Sequence, residues 1–137
     1  MSIRSRSELI NVLRTARTEG RSAIVIGLGI SGLDAAEFLQ RLGLFVIGIE
    51  RRSESAVLQD SAAKARITGL QAEGAKIFFS LDGEACAPYV TNAAIAILSP
   101  GVSLESAVVG ALRRAEIPLL GEFELGLVLS GQRSIAV

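Results

Sequence analysis

The apolar run Ala23-Ile24-Val25-Ile26 feeds directly into Gly27-Leu28-Gly29-Ile30-Ser31-Gly32, and Leu33, Ala35, Ala36, Phe38 and Leu39 follow at helical spacing. A Gly-x-Gly-x-x-Gly turn between a buried strand and a helix constrains the fold strongly, because its glycines have distinct jobs in a βα crossover. Gly27 permits the tight turn, Gly29 allows a diphosphate close to the backbone, and Gly32 lets the helix close on the strand. Free amides and the positive end of the helix then face an anion, so a phosphorylated ligand is expected. The same glycines would also serve a βα turn that binds nothing.

The segments around this turn alternate in type. Ser7 to Glu19 places Leu9, Val12, Leu13 and Ala16 at helical spacing, with Ser7 as its cap and Gly20 as its stop. Arg4, Arg6, Arg14, Arg17 and Arg21 make this end basic and read as a solvated helix face, to which no function is assigned. After the glycine turn and its helix, Gly43 is a stop and Leu44 to Ile49 a second buried strand closed by Glu50-Arg51-Arg52. A helical stretch carrying Leu58, Ala62, Ala65 and Leu70 leads to a strand at Ala75 to Phe79 and a polar loop from Ser80 to Glu84. Ala94 to Leu98 is a fourth strand, Leu104 to Ala115 a helix, Ile117 to Leu120 a fifth strand ending at Gly121, and Glu122 to Leu129 a last short helix. Near-continuous apolar strands alternating with helices predict a Rossmann-like, doubly wound parallel five-stranded sheet with helices on both faces, an α/β fold. In such sheets ligands bind beyond the carboxyl ends of the strands, where strand order reverses.

The residues expected along that edge admit several roles. Glu50 lies about twenty residues beyond the glycine turn, the distance of the acid that holds an adenosine ribose in dinucleotide-binding domains. It reads equally as an acceptor for a base N–H, or as a plain solvated acid at a strand end. Ser31 offers a hydroxyl and an amide to a phosphate, although helix capping would also explain it. Gly83 and the Ser99-Pro100-Gly101 turn bring backbone to the same crevice or act as loop punctuation, with Pro100 fixing the loop shape.

Composition narrows the chemistry. With 14 basic and 14 acidic residues in 137, no net field favours nucleic acid or an anionic membrane. A single cysteine and no histidine exclude an internal disulfide and every His-based triad or zinc site within this sequence. No apolar stretch approaches the roughly 20 residues of a membrane span, and Met1 to Arg6 leads into no signal-peptide core. A cytoplasmic location is expected.

Three blocks extend this reading: Gly27 to Leu33, Leu98-Ser99-Pro100-Gly101-Val102, and Ile117 to Leu125. In that order and spacing they resemble the N-terminal domain of the UDP-N-acetylmuramoylalanine–D-glutamate ligases, a Mur ligase family, over about Arg21 to Val137. The resemblance implies a first domain that holds the uridine diphosphate of UDP-N-acetylmuramoyl-L-alanine. Further domains would bind ATP with Mg2+ and D-glutamate, and together they would form an amide bond in peptidoglycan precursor synthesis. On this basis Gly29, Ile30, Ser31 and Gly32 meet the diphosphate, Glu50, Arg51 and Arg52 flank the uracil, and Gly83 and Ser99 approach the nucleotide. The family often has Asp, then Ser or Thr, then Arg after the second strand, so Glu50-Arg51-Arg52 departs by a longer acid and a lost hydroxyl. The implied organisation is a helix at 1–20, the nucleotide-sugar domain at 21–133, and at 134–137 the start of a strand leading to an ATP-binding domain. The sequence contains no Gly-Lys-Ser or Gly-Lys-Thr, so these residues alone are expected to hold no ATP and to ligate nothing. The alternative from the residues alone is an NAD(P)-binding domain of a dehydrogenase or regulatory protein.

Overall fold

Strands β1 (Ser22–Ile26), β2 (Phe45–Ile49), β3 (Lys76–Phe78), β4 (Ala93–Leu98) and β5 (Leu119–Gly121) form one sheet in the order β3-β2-β1-β4-β5. Every pairing is parallel. This computed structural model describes residues 3, 5–81, 87–122 and 124–126. Helices α1 (Arg6–Glu19), α2 (Ile30–Arg41), α3 (Glu54–Leu58), α4 (Ser61–Ala72), α5 (Ala87–Val90) and α6 (Ala107–Arg114) connect and cover the strands. The expected doubly wound α/β architecture is therefore observed.

Alternation along the strands divides the core into two layers, because successive side chains leave a strand on opposite faces. Ala23 and Val25 of β1 join Leu9 and Leu13 of α1, Leu33 and Leu39 of α2, and Ile67 and Leu70 of α4. Ile24 and Ile26 join Val108, Val109 and Leu112 of α6 on the other face. β1 and β4 are buried along their whole length, as strands covered on both faces must be.

Several boundaries differ from the sequence reading, each for a local reason. The first helix begins at Arg6 because Ser5, not Ser7, is the cap, its hydroxyl accepting from the Glu8 amide at 3.2 Å. Gly20 ends it as expected, with φ at 68°. The helical stretch after β2 is two helices. Asp60 interrupts it, and its carboxylate accepts from the amides of Ala62 (2.9 Å) and Ala63 (3.2 Å) to start α4. The break rotates the buried face, so Val57, Ile67 and Leu70 enter the core while Ala62 and Ala65 are exposed. α6 begins at Ala107 after Ser106, leaving Leu104 in a loop at 60 % exposure. The last helix is present at 122 and 124–126, while the rest of its expected span and the expected strand from Ser134 lie outside the described residues.

Candidate functional site

The reversal of strand order falls between β1 and β4, and a cleft of about 550 Å³ opens there beyond the carboxyl ends of β1, β2 and β4. Gly29, Ile30, Ser31, Glu50, Arg51, Arg52 and Ser99 all line it. Residues 22 to 72 positions apart in the chain thus share one crevice, as the topology requires. Gly32 sits just beneath, and Gly83 lies outside the described residues.

The floor of the cleft is the glycine turn, and both neighbouring strands hold it. The Gly27 amide donates to the Ile49 carbonyl at 2.8 Å, and the Ser99 amide donates to the Ile26 carbonyl at 3.0 Å. The Ser99 hydroxyl donates to the Gly27 carbonyl at 2.6 Å. Gly27 has φ of 87°, a left-handed conformation that glycine adopts without cost. A Cβ on Gly32 would run into the Gly27 carbonyl and come within 2.7 Å of the Ser99 hydroxyl, so only glycine lets α2 seat this close to β1. Gly29 is the reverse case, since nothing lies within 4 Å of the position its Cβ would take. The turn is closed on its protein side and open on its cleft side.

Gly29 is the N-cap residue of α2 and supplies no side-chain cap. Among the described residues, the amides of Gly29, Ile30, Ser31 and Gly32 have no acceptor, and the first i to i−4 bond is Leu33 to Gly29 at 2.9 Å. Ser31 therefore stands inside the first turn and does not cap the helix; its hydroxyl has no partner among the described residues. These amides, at the positive end of a 12-residue helix, form an anion-accepting surface.

Glu50 is not a solvated acid. It is 5 % exposed, and each of its carboxylate oxygens accepts two hydrogen bonds. Oε1 takes the Leu28 amide at 2.8 Å and Arg52 Nη2 at 3.1 Å, while Oε2 takes the Arg52 amide at 2.7 Å and Arg52 Nε at 3.0 Å. Burial pushes its pKa up, but the side chain and amide of Arg52 and the amide of Leu28 outweigh that and hold it below the usual carboxylate value. The carboxylate ties the end of β2 to the glycine turn and fixes Arg52, whose half-exposed guanidinium lines the cleft. Arg51 lies beside it, exposed.

The opposite wall is the loop from Ser99 to Ser106. The Val102 amide donates to the Ser99 carbonyl at 3.0 Å, closing a turn with Pro100 second in it, where its fixed φ is favoured. Leu81, Val102, Ser103 and Ser106 also line the cleft and were not legible as site residues. A serine before a helix reads as a cap, but Ser106 makes no cap bond, and its buried hydroxyl has no partner among the described residues. No group of three or more His, Cys, Asp or Glu among the described residues has the arrangement to hold a metal ion. None of the described helices is long and apolar enough to cross a membrane.

Sheet order, switch-point cleft and open amide turn define the class: a Rossmann-like α/β domain with a cleft at its first crossover. Within that class, residues 21–121 match the family described as Mur ligase MurD-like, N-terminal domain, and the chain belongs to that family. Similar proteins include the UDP-N-acetylmuramoylalanine–D-glutamate ligase of Desulfosudis oleivorans, 34% identical over 113 residues, or 82% of this chain and 23% of the relative. The ligase of the same name from Chloroherpeton thalassium is 32% identical over 119 residues, 87% of this chain and 23% of its own length. That of Caldanaerobacter subterraneus is 33% identical over 110 residues, 80% and 22% respectively. The chain thus spans less than a quarter of the length of these relatives.

Proposed function

We propose that the cleft binds the uridine diphosphate part of UDP-N-acetylmuramoyl-L-alanine, as the first domain of an ATP-dependent ligase that adds D-glutamate to a peptidoglycan precursor in the cytoplasm. The observation that carries this reading is the set of amides from Gly29 to Gly32 that have no acceptor among the described residues, with open space at Gly29, in a chain of the MurD-like family. A diphosphate seated there would take these amides and the Ser31 hydroxyl as donors. Arg51, Arg52 and the Ser99 loop would border the uridine, and Gly83 remains proposed from resemblance alone. Glu50, with its acceptor positions filled, would serve by presenting Arg52 and bracing the turn.

The sequence carries no Gly-Lys-Ser or Gly-Lys-Thr, the loop that would cradle the phosphates of ATP with its Mg2+. Those groups, D-glutamate and the ligation itself are assigned to the remainder of a protein of the relatives' length. Cell-wall synthesis, and through it cell shape and division, would be the role of that whole protein.

The competing reading, an NAD(P) site, needs a strand-end acid free to accept from the ribose hydroxyls. Glu50 already accepts from Leu28 and Arg52, which favours the uridine reading. Calorimetric titration of this chain with UDP-N-acetylmuramoyl-L-alanine, UDP and NAD separates the two. Saturable binding of the first two without NAD is expected, weakly, since other domains' contacts are missing. Tighter binding of NAD, or no saturation by millimolar UDP-N-acetylmuramoyl-L-alanine, would overturn the assignment.

A further inference from the structure

A second concavity of about 460 Å³ lies between α1 and the end of α2, with an apolar floor of Ile10, Leu13, Phe38 and Leu42 and a rim of Arg6, Arg14 and Arg17. On α1 these positions follow helical spacing, 6, 10, 13, 14 and 17, so cations and apolar side chains share one face. None of the three arginines has a carboxylate partner among the described residues. The acids of α2 that could neutralise them are engaged elsewhere. Arg66 of α4 donates to Asp34 at 2.6 Å and to Glu37 at 2.6 and 2.9 Å, engaging both carboxylates in ion pairs with α4. The α2–α4 seam is thereby sealed by ion pairs, and the α1–α2 seam is left cationic over an apolar floor. α1 also precedes residues 21–121, where the family match lies, so this groove is not built from the matched segment alone.

We propose that this groove docks an acidic amphipathic helical segment of a partner polypeptide. The rim cations run along about 16 Å of helix axis, from Arg6 to Arg17, a spacing that carboxylates on successive turns of a second helix can match. Ile10 and Phe38 are half-buried in a recess, which a partner's protruding apolar residues can fill but a flat bilayer cannot reach. Phe38 and Leu42 lie at the end of α2 away from Gly29, so the occupant leaves the nucleotide cleft open.

The test uses this chain and a synthetic helical peptide with leucines at i, i+3, i+4 and i+7 flanked by glutamates, followed by fluorescence anisotropy and amide chemical shifts. Saturable binding that shifts amides of α1 and the end of α2, and that weakens at least about tenfold in R14E/R17E, is expected. A peptide with lysines in place of the glutamates should bind R14E/R17E better than the original chain. Leu42→Asp, at a position 37 % exposed, provides a second variant that tests the floor without touching the charges. Absence of saturation at millimolar peptide, equal affinity in R14E/R17E and Leu42→Asp, or shifts confined to other surfaces would overturn the proposal. Sedimentation with phosphatidylglycerol vesicles that exceeds peptide binding and is lost in R14E/R17E would overturn it in favour of a membrane surface.

Discussion

Gly29 and Gly32 are separated by less than one helical turn, yet a methyl group has opposite consequences at the two. At Gly32 it meets the Gly27 carbonyl and the Ser99 hydroxyl, so Gly32→Ala should destabilise the fold by about 1–3 kcal/mol and impair ligand binding with it. At Gly29 it meets nothing, so Gly29→Ala should change stability by under about 1 kcal/mol while weakening UDP binding. Denaturant melts paired with titration distinguish these outcomes; equal losses of stability at both sites would refute the contrast. Glu50 carries a pH signature. Its pKa is lower in the folded chain, so the unfolded chain takes up protons first on acidification. The stabilisation from Glu50 is therefore complete above the ordinary carboxylate value of about 4.3 and drains away as pH falls through the lowered folded value. Glu50→Gln should cost about 1–3 kcal/mol at neutral pH, because an amide donor now faces Leu28 and Arg52 donors. The gap between wild type and variant should narrow below pH about 4; a gap independent of pH would show that the carboxylate's charge is not the cause.

The elements were legible wherever one local rule dominated. Buried strands announced β1, β2 and β4 as short apolar runs, and the stops at Gly20 and Gly43 are real, with φ of 68° and 87°. Reading failed where two local signals competed. Ser5 and Ser7 are equally good caps by residue type, and only the bond from the Glu8 amide selects Ser5. Asp60 interrupts a stretch whose alanines suit a helix throughout, and its two cap bonds show why the chain restarts there. One element carries an imperfection. Ser22 opens β1 where the pairing with β4 shifts register, and its hydroxyl is buried without a partner among the described residues. Removing an unsatisfied buried hydroxyl should be neutral or stabilising by up to about 1 kcal/mol, so Ser22→Ala should melt no lower than wild type. A clear loss of stability would mean that the hydroxyl has a partner.

At the scale of the molecule, α1 is welded to the sheet: Leu9, Leu13 and Ala16 lie in the same core layer as Ala23, Val25 and Ile95. Leu9→Ala, at a fully buried position, should cost about 2–5 kcal/mol and broaden or lower the single melting transition of the whole chain. Survival of the sheet's transition at its original midpoint would show instead that the helix is an independent appendage. The sequence alone settled that this is a doubly wound α/β chain with a glycine turn at its first crossover, because strand burial, helix period and glycine geometry are local and act within a few residues. It also carried enough of three spaced blocks to reveal the Mur ligase family. The bond from the Leu28 amide to Glu50, the burial of the Ser106 hydroxyl in the cleft wall, and the diversion of Asp34 and Glu37 to Arg66 were decided by tertiary structure. The Leu28 bond to Glu50 and the Arg66 pairs join groups 22 to 32 residues apart that must meet at a particular distance. Charge and hydrogen-bond pairing follow from such distances, and chain order does not encode them until the sheet has closed.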